Sequence, residues 1–318
     1  MDYQTFLASK RREFHGDGLD GARLPAQLYG WQRAMVAWAL AKGRGAIFSD
    51  CGTGKTFMQV AWAAAVPGPV LMFAPLCVAE QTIAEAAKLG ITIRYAHDQH
   101  EATGHLTITN YERLDKFDPA RFVGVVLDES SILKSFDGET RTALIEQWQG
   151  AKYRLCCTAT PSPNDIAELA NHSEFRGLMT RAEFLATWFV HDDEGWRMKR
   201  HAVEPFYAWL GSWALSLRSP ADLGIIAPGF NLPPLEIRDL IVGQDGPAEG
   251  VLFSDMGLKG LGGRLKARKV SLLPRIEAVA ELVRRTPGPW LVWCGLNAES
   301  DGIAAMLGDE YGLEQHNG

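Results

Sequence analysis

Between Gly45 and Ala65 the chain reads GAIFSDCGTGKTFMQVAWAAA, and this stretch constrains the fold more than any other. A short apolar run, Ala46 to Phe48, reads as a strand. It enters a glycine-rich turn, SDCGTGKT, and leaves in an apolar-periodic segment that reads as a helix. Strand, glycine turn and helix in that order are the context of a phosphate-binding loop. Backbone N–H groups around Gly52, Thr53 and Gly54 can wrap a polyphosphate because no bulky side chains block the approach. The helix beginning near Lys55 points its positive dipole end at the same anion. In such a loop Lys55 reaches the β- and γ-phosphates, and the Thr56 hydroxyl ligates Mg²⁺. The strict G-x-x-x-x-G-K-[ST] pattern has glycine where this chain has Ser49, a substitution small enough to be accommodated.

The 318 residues, 47% hydrophobic and 22% charged, are ordinary for a globular protein and suggest two domains. A net charge of −6 means that any nucleic-acid site is a local basic surface and not the field of the whole molecule. The five cysteines form no C-x-x-C pair and the eight histidines no metal-binding spacing, so the chain is expected to have reduced thiols and no structural metal. No apolar run approaches the ~18 residues of a membrane span, and no signal peptide is recognisable. A cytoplasmic location is expected.

Short apolar strands alternate with helical patterns from Pro25 onward. Strand-like runs occur at 70–73, 91–95, 106–109, 123–127 and 154–158. Such alternation predicts an α/β fold, a mostly parallel sheet with helices on both faces. Residues 1–22 read as a loose arm. From 177 to 222 the strand signal fades into a Trp- and Phe-rich helical pattern, which includes the mixed patch Trp196–His201. Strands are expected again at 235–242 and 290–294, with a helix over 273–285 between them. The predicted domains are therefore 1–22, 23–176, a helical insertion at 177–228, and the beginning of a second α/β domain at 229–318. That last piece is shorter than the ~100–150 residues typical of a domain, so an incomplete chain is expected. Trp31, Trp38, Trp62, Trp209 and Trp213 lie in helical patterns and read as packing residues.

Two further strand ends carry polar residues suited to chemistry. Val125-Val126-Leu127 delivers Asp128 and Glu129 at the end of a strand, where α/β folds place ligands. Beside a phosphate loop, such an aspartate holds Mg²⁺ and a following glutamate can act as general base toward water. Thr158-Ala159-Thr160-Pro161 ends another strand, and its hydroxyls can hydrogen-bond the γ-phosphate region.

Together, GTGKT, DESS and TATP resemble motifs I, II and III of superfamily 2 helicases and translocases. Further pieces resemble the Swi/Snf-type branch, in its phage- or bacterial-like compact form. LYGWQRAMVAWAL resembles that branch's opening and puts Gln32 at the adenine-reading glutamine, with Trp31 in place of the usual Tyr. FAPLCVAEQTIAEAAK resembles motif Ia, through Pro75 and Leu76. LTITNYERL resembles motif Ib, through Thr109, Asn110 and Tyr111. Lys134, Asn164 and Glu168 match positions downstream of motifs II and III, and WLVWCGLNAESDGIAAML resembles motif IV. DESS departs from the usual D-E-A-H.

The resemblance implies two RecA-like lobes with ATP and Mg²⁺ between them, and movement along nucleic acid driven by hydrolysis. Lys55, Asp128 and Glu129 would be catalytic, with Thr56 and Asp128 on Mg²⁺. Gln32, Gly52, Thr53, Gly54, Lys55, Thr56, Thr158 and Thr160 would line the nucleotide, and Pro75, Leu76, Thr109, Asn110 and Tyr111 would meet nucleic acid, expected to be double-stranded DNA. Lys259–Lys269 is a second basic candidate surface. Motifs V and VI, with the family's arginine fingers, would follow Gly318, so weak hydrolysis is expected of this stretch alone. The rival readings are an RNA helicase of the DEAD/DEAH kind, a restriction-type motor subunit, and an ATP- or DNA-binding module without turnover. A GTPase would need an N-K-x-D motif, which is absent.

Overall fold

The computed structural model describes residues 13–134, 138–193, 195–230, 234–242, 271–308 and 310–312. The chain divides into two compact units, Met1–Pro233 and Pro234–Gly318.

The first unit is built on a seven-stranded sheet, every pairing of which is parallel. Its strands are β1 (Arg44–Ser49), β2 (Val70–Ala74), β3 (Arg94–Tyr95), β4 (Leu106–Asn110), β5 (Gly124–Asp128), β6 (Tyr153–Thr158) and β9 (Ala214–Leu217), ordered β3-β4-β2-β5-β6-β1-β9. Alternate residues feed opposite layers. Phe48, Leu71, Phe73, Val125, Leu127 and Cys156 join one core; Ile47, Val70, Met72, Val126, Leu155 and Cys157 join the other. Both faces are covered, so the strands read as continuous apolar runs and not as alternating ones. Helices α1 (Gly30–Lys42), α2 (Lys55–Ala65) and α3 (Leu76–Lys88) close one face. Helices α4 (Glu139–Trp148), α5 (Leu169–Phe175), α6 (Arg181–Trp188) and α7 (Val203–Gly211) close the other. This is the predicted RecA-like α/β layer structure. The tryptophans do pack: Trp31 and Trp62 are buried in one layer with Trp38 against them, and Trp209 and Trp213 are buried in the other.

Several expectations differ from the observed elements. The predicted strand at 91–95 shrinks to Arg94–Tyr95 at the sheet edge. The segment 177–228 is not wholly helical. Phe189–Asp192 (β7) and Gly195–Met198 (β8) form an antiparallel hairpin, and β9 pairs with β1 inside the main sheet. The Trp196–His201 patch thus lies on a hairpin strand and the 3-10 turn after it, not on a helix face. The segment beginning at Phe14 is docked, not loose. Phe14 N donates to Ser212 Oγ at 2.9 Å, and Leu19 N donates to Leu40 O at 2.8 Å. A Cβ at Gly18 would lie 1.8 Å from the Leu40 oxygen, so only glycine permits this approach.

In the second unit, α8 (Leu272–Arg285) packs on α9 (Asn297–Leu307) through Ile276, Ala280, Val283, Ile303 and Leu307. The predicted strands at 235–242 and 290–294 do not form. Leu235, Ile237 and Ile241 are exposed, as are Leu291 and Trp293. Among the described residues neither segment has a strand neighbour, and without one the apolar pattern cannot become a ladder. The basic piece Lys259–Lys269 lies outside the described residues.

Candidate nucleotide site

Parallel strands bring their C-terminal ends to one edge. The register pairs Phe48 with Thr158 and Asp128 with Cys157, so the ends of β1, β5 and β6 stand side by side. Motifs separated by about a hundred residues of chain thereby meet.

The loop after β1 is shaped by its glycines. Gly52 and Gly54 both have φ of +80°, a left-handed conformation that residues with a Cβ seldom adopt. A Cβ at Gly54 would also lie 2.5 Å from Gln32 Nε2, so a larger residue there would displace the Gln32 amide. Ser49 is fully buried and its hydroxyl donates to Thr53 Oγ1 at 2.6 Å; Thr53 Oγ1 in turn donates to Asp50 O at 2.6 Å. Ser49 lies outside the left-handed region, so its position does not demand glycine, and its hydroxyl closes the loop. Gly54 caps α2 with no side-chain hydrogen bond, and the first turn of α2 carries no acidic residue. The helix end therefore keeps its unpaired amides and positive dipole for an anion. Lys55 Nζ lies 3.4 Å from Asp50 O at the loop's start.

Gln32 is buried on α1 and spans the loop. Its Nε2 donates to Thr53 O at 2.9 Å, and its Oε1 accepts from Tyr29 N at 3.0 Å. Tyr29 is half exposed, with Phe230 edge-on to it at 5.3 Å. The predicted base-reading residue is thus in contact with the phosphate loop.

Asp128 is buried at the end of β5, and burial raises its carboxyl above the ordinary range. The buried Gln59 amide beside it opposes the rise, and neither polar atom of that amide has a hydrogen-bond partner among the described residues. Glu129 has φ of +51°, alone among the described non-glycine residues in being left-handed. Thr158 Oγ1 donates to Glu129 Oε2 at 3.1 Å and accepts from Thr160 N at 3.1 Å. Motif III is therefore in direct contact with motif II. Further out, Asn164 Nδ2 donates to Glu168 Oε1 at 2.8 Å.

No group of three or more metal-ligating side chains occurs among the described residues. Mg²⁺ bound with a nucleotide takes one or two protein oxygens and fills its remaining positions with phosphate and water. Asp128, whose buried carboxylate accepts from Glu129 N at 3.0 Å, and the Thr56 hydroxyl are hard oxygen donors of this kind.

The predicted nucleic-acid residues divide. Leu76 is 62% exposed at the start of α3, beside partly exposed Pro75. Thr109 is fully buried and donates to Ala96 O at 2.9 Å. Asn110 is buried beside Tyr95, whose hydroxyl it accepts at 2.7 Å. Tyr111 is buried, and its hydroxyl donates to Asp128 O at 2.6 Å. Thr109 and Tyr111 are therefore committed to the protein interior, and of the five only Pro75 and Leu76 offer open side-chain surface. The Tyr111–Asp128 bond had no signal in the sequence. Nor did a cavity of about 580 Å³ lined by Arg141, Glu174, Arg181, Leu185 and Trp196, which shares no residue with these motifs.

No protein-family model matches the chain, and no curated protein matches it. Solved structures do. The SWI2/SNF2 ATPase core of Sulfolobus solfataricus, solved in complex with dsDNA, aligns with a TM-score of 0.54 at 21% identity over 65% of this chain. The chain spans 47% of that structure, less than half its length. The UvsW helicase of bacteriophage T4 aligns at TM-score 0.40 and 13% identity, over 55% of this chain and 64% of that one. The Hef helicase domain of Pyrococcus furiosus aligns at 0.40 and 14%, over 49% and 39%. The first of these likenesses shows a shared fold, the parallel α/β architecture of that ATPase core.

Proposed function

We propose that the chain binds ATP with Mg²⁺ at the edge formed by β1, β5 and β6 and hydrolyses it to drive movement along nucleic acid, with double-stranded DNA as the favoured track. The observation that carries this reading is the meeting of three strand ends. The Gly52–Thr56 loop, the Asp128–Glu129 pair and Thr158 converge, with Thr158 bonded to Glu129 at 3.1 Å. An open helix terminus and Lys55 suit a polyphosphate. Gln32, anchored to the loop, is the proposed base-reading residue.

In this reading Lys55 and the loop amides bind the phosphates, and Thr56 and Asp128 hold Mg²⁺. A Mg²⁺ ion held by Thr56 and Asp128 would supply screening of the phosphate charge. Glu129 orients the attacking water and takes up its proton. Thr158 and Thr160 link the γ-phosphate region to Glu129. Pro75 and Leu76 are the proposed nucleic-acid contacts, made mainly to the backbone and therefore sensitive to salt. Pro234–Gly318 is proposed to begin a second RecA-like lobe; the paired helices α8 and α9 support that assignment. Likeness to a dsDNA-bound ATPase core favours duplex DNA over RNA.

The test is ATP hydrolysis at low salt, alone and with duplex DNA, single-stranded DNA or RNA. Duplex DNA is expected to stimulate turnover. Lys55→Ala should reduce it by at least about a hundredfold, and Glu129→Gln should do the same while leaving ATP binding intact. Stimulation by RNA alone would reassign the track. ATP binding without turnover under every condition would leave a nucleotide-binding module.

A further inference from the structure

The turn that carries Glu129 is clamped by a helix the mechanism above does not use. Helix α5 follows motif III in the chain, and six of its seven residues are buried. Two consecutive side chains reach back to motif II. Ser130 Oγ and His172 Nε2 lie 3.1 Å apart, both fully buried. Asn171 Nδ2 donates to Leu133 O at 2.6 Å. Ser130 and Leu133 belong to the 3-10 turn Ser130–Lys134, which begins immediately after Glu129.

The imidazole is tightly enclosed. Phe48, the residue before Ser49, stands edge-on to it at 5.4 Å. Burial, assisted by the Arg176 charge, lowers its pKa to about 3, so the ring is neutral at physiological pH. Its Nδ1 has no hydrogen-bond partner among the described residues, which leaves Ser130 as the polar contact of the ring. A buried polar side chain that packs for volume alone would be replaced by an apolar one at no loss. This one has a single polar partner, adjacent to the proposed base.

We propose that His172 is a positioning residue for Glu129. By fixing Ser130, while Asn171 fixes Leu133, it holds the turn that keeps Glu129 left-handed and its carboxylate against Thr158. The left-handed backbone matters because a non-glycine residue leaves that conformation unless its surroundings enforce it. The inference rests on the reading of Glu129 as the hydrolytic base, but its geometry can be tested without turnover.

The experiment compares the full chain with His172→Leu, His172→Gln, Ser130→Ala and the His172→Leu/Ser130→Ala double variant. ATP hydrolysis is measured with duplex DNA, and amide hydrogen exchange is followed across 129–134. The expected result is a roughly tenfold fall in kcat for His172→Leu and for Ser130→Ala, with KM unchanged. The double variant should be no worse than either single one. His172→Gln, whose amide can meet the Ser130 hydroxyl, should recover most of the loss. Unchanged kcat, additive losses, or equal damage in His172→Gln and His172→Leu would overturn the proposal. If the unmodified chain shows no turnover, the ATPase reading fails and exchange decides the rest. About tenfold faster exchange at 130–134 in His172→Leu and Ser130→Ala, with β6 amides unaffected and His172→Gln near the unmodified chain, supports the clamp. Equal exchange in all variants rejects it.

Discussion

Tyr111 ties two motifs together with one hydroxyl. It starts the turn after β4, is enclosed with its ring stacked on Phe73 at 5.8 Å, and donates to the backbone oxygen of Asp128 at 2.6 Å. Burial raises its phenol well above the usual range, so it remains a donor at every working pH. Replacing it by phenylalanine keeps the packing and strips one buried acceptor of its partner. Tyr111→Phe is therefore expected to cost about 1–2 kcal/mol, read from the urea midpoint at constant m-value. The residues proposed to bind nucleotide, such as Lys55, Thr56 and Asp128, could be proposed from the chain alone because a phosphate loop and an acidic strand end have local signatures. Tyr111, Gln59 and His172 were not. Their roles come from contacts between positions far apart in sequence, and nothing periodic marks such a contact before the sheet is assembled. Ser49 was legible as a departure but not as a solution, since its bond to Thr53 depends on the loop already being closed.

At the level of elements, the strands of the first unit were readable because a two-faced parallel sheet writes each central strand as an unbroken apolar run. β9 escaped because its residues Ala214, Leu215, Ser216 and Leu217 mix polarity at the sheet's edge, where the demand for apolar side chains relaxes. The β7–β8 hairpin escaped for a different reason. Its Trp196, Arg197 and His191 are partly or largely exposed, so they follow neither the helical nor the strand period. α6 shows the opposite case, a helix whose start is written locally. Thr180 Oγ1 accepts from Glu183 N at 3.2 Å, while Glu183 Oε2 accepts from Thr180 N at 2.9 Å, a reciprocal capping box. The cap fixes where α6 begins, and hence where Phe184 and Leu185 enter the core. Thr180→Ala is expected to lower stability by about 1 kcal/mol, measured by thermal unfolding, without altering nucleotide binding.

For the whole molecule, the buried ionisable groups fix how stability responds to acid, and they do not all pull the same way. His172 has a folded pKa of about 3 against an unfolded value near 6.5. Below about pH 6.5 the unfolded chain binds a proton there that the folded chain refuses, so stability is complete above that pH and falls as pH drops toward 3. The slope from this one group approaches 1.4 kcal/mol per pH unit. Arg176, whose guanidinium lies over the Trp213 ring at 4.3 Å, and Arg154 are lowered to about 9 and about 10. Both remain charged in folded and unfolded chains throughout the acid range, so they add no slope there. Asp128 acts in the opposite sense. Its folded pKa is raised, so the folded chain takes up its proton first, and protonation stabilises as pH falls through that value. Between about pH 6 and 5 the His172 contribution is isolated by comparing the chain with His172→Gln, in which Asp128 is unchanged. Urea unfolding of the first unit is expected to take up about one proton more in the unmodified chain than in His172→Gln over that interval. Equal proton uptake in the two would mean that the imidazole is open to solvent, and the clamp on Ser130 would then lack the enclosure it depends on.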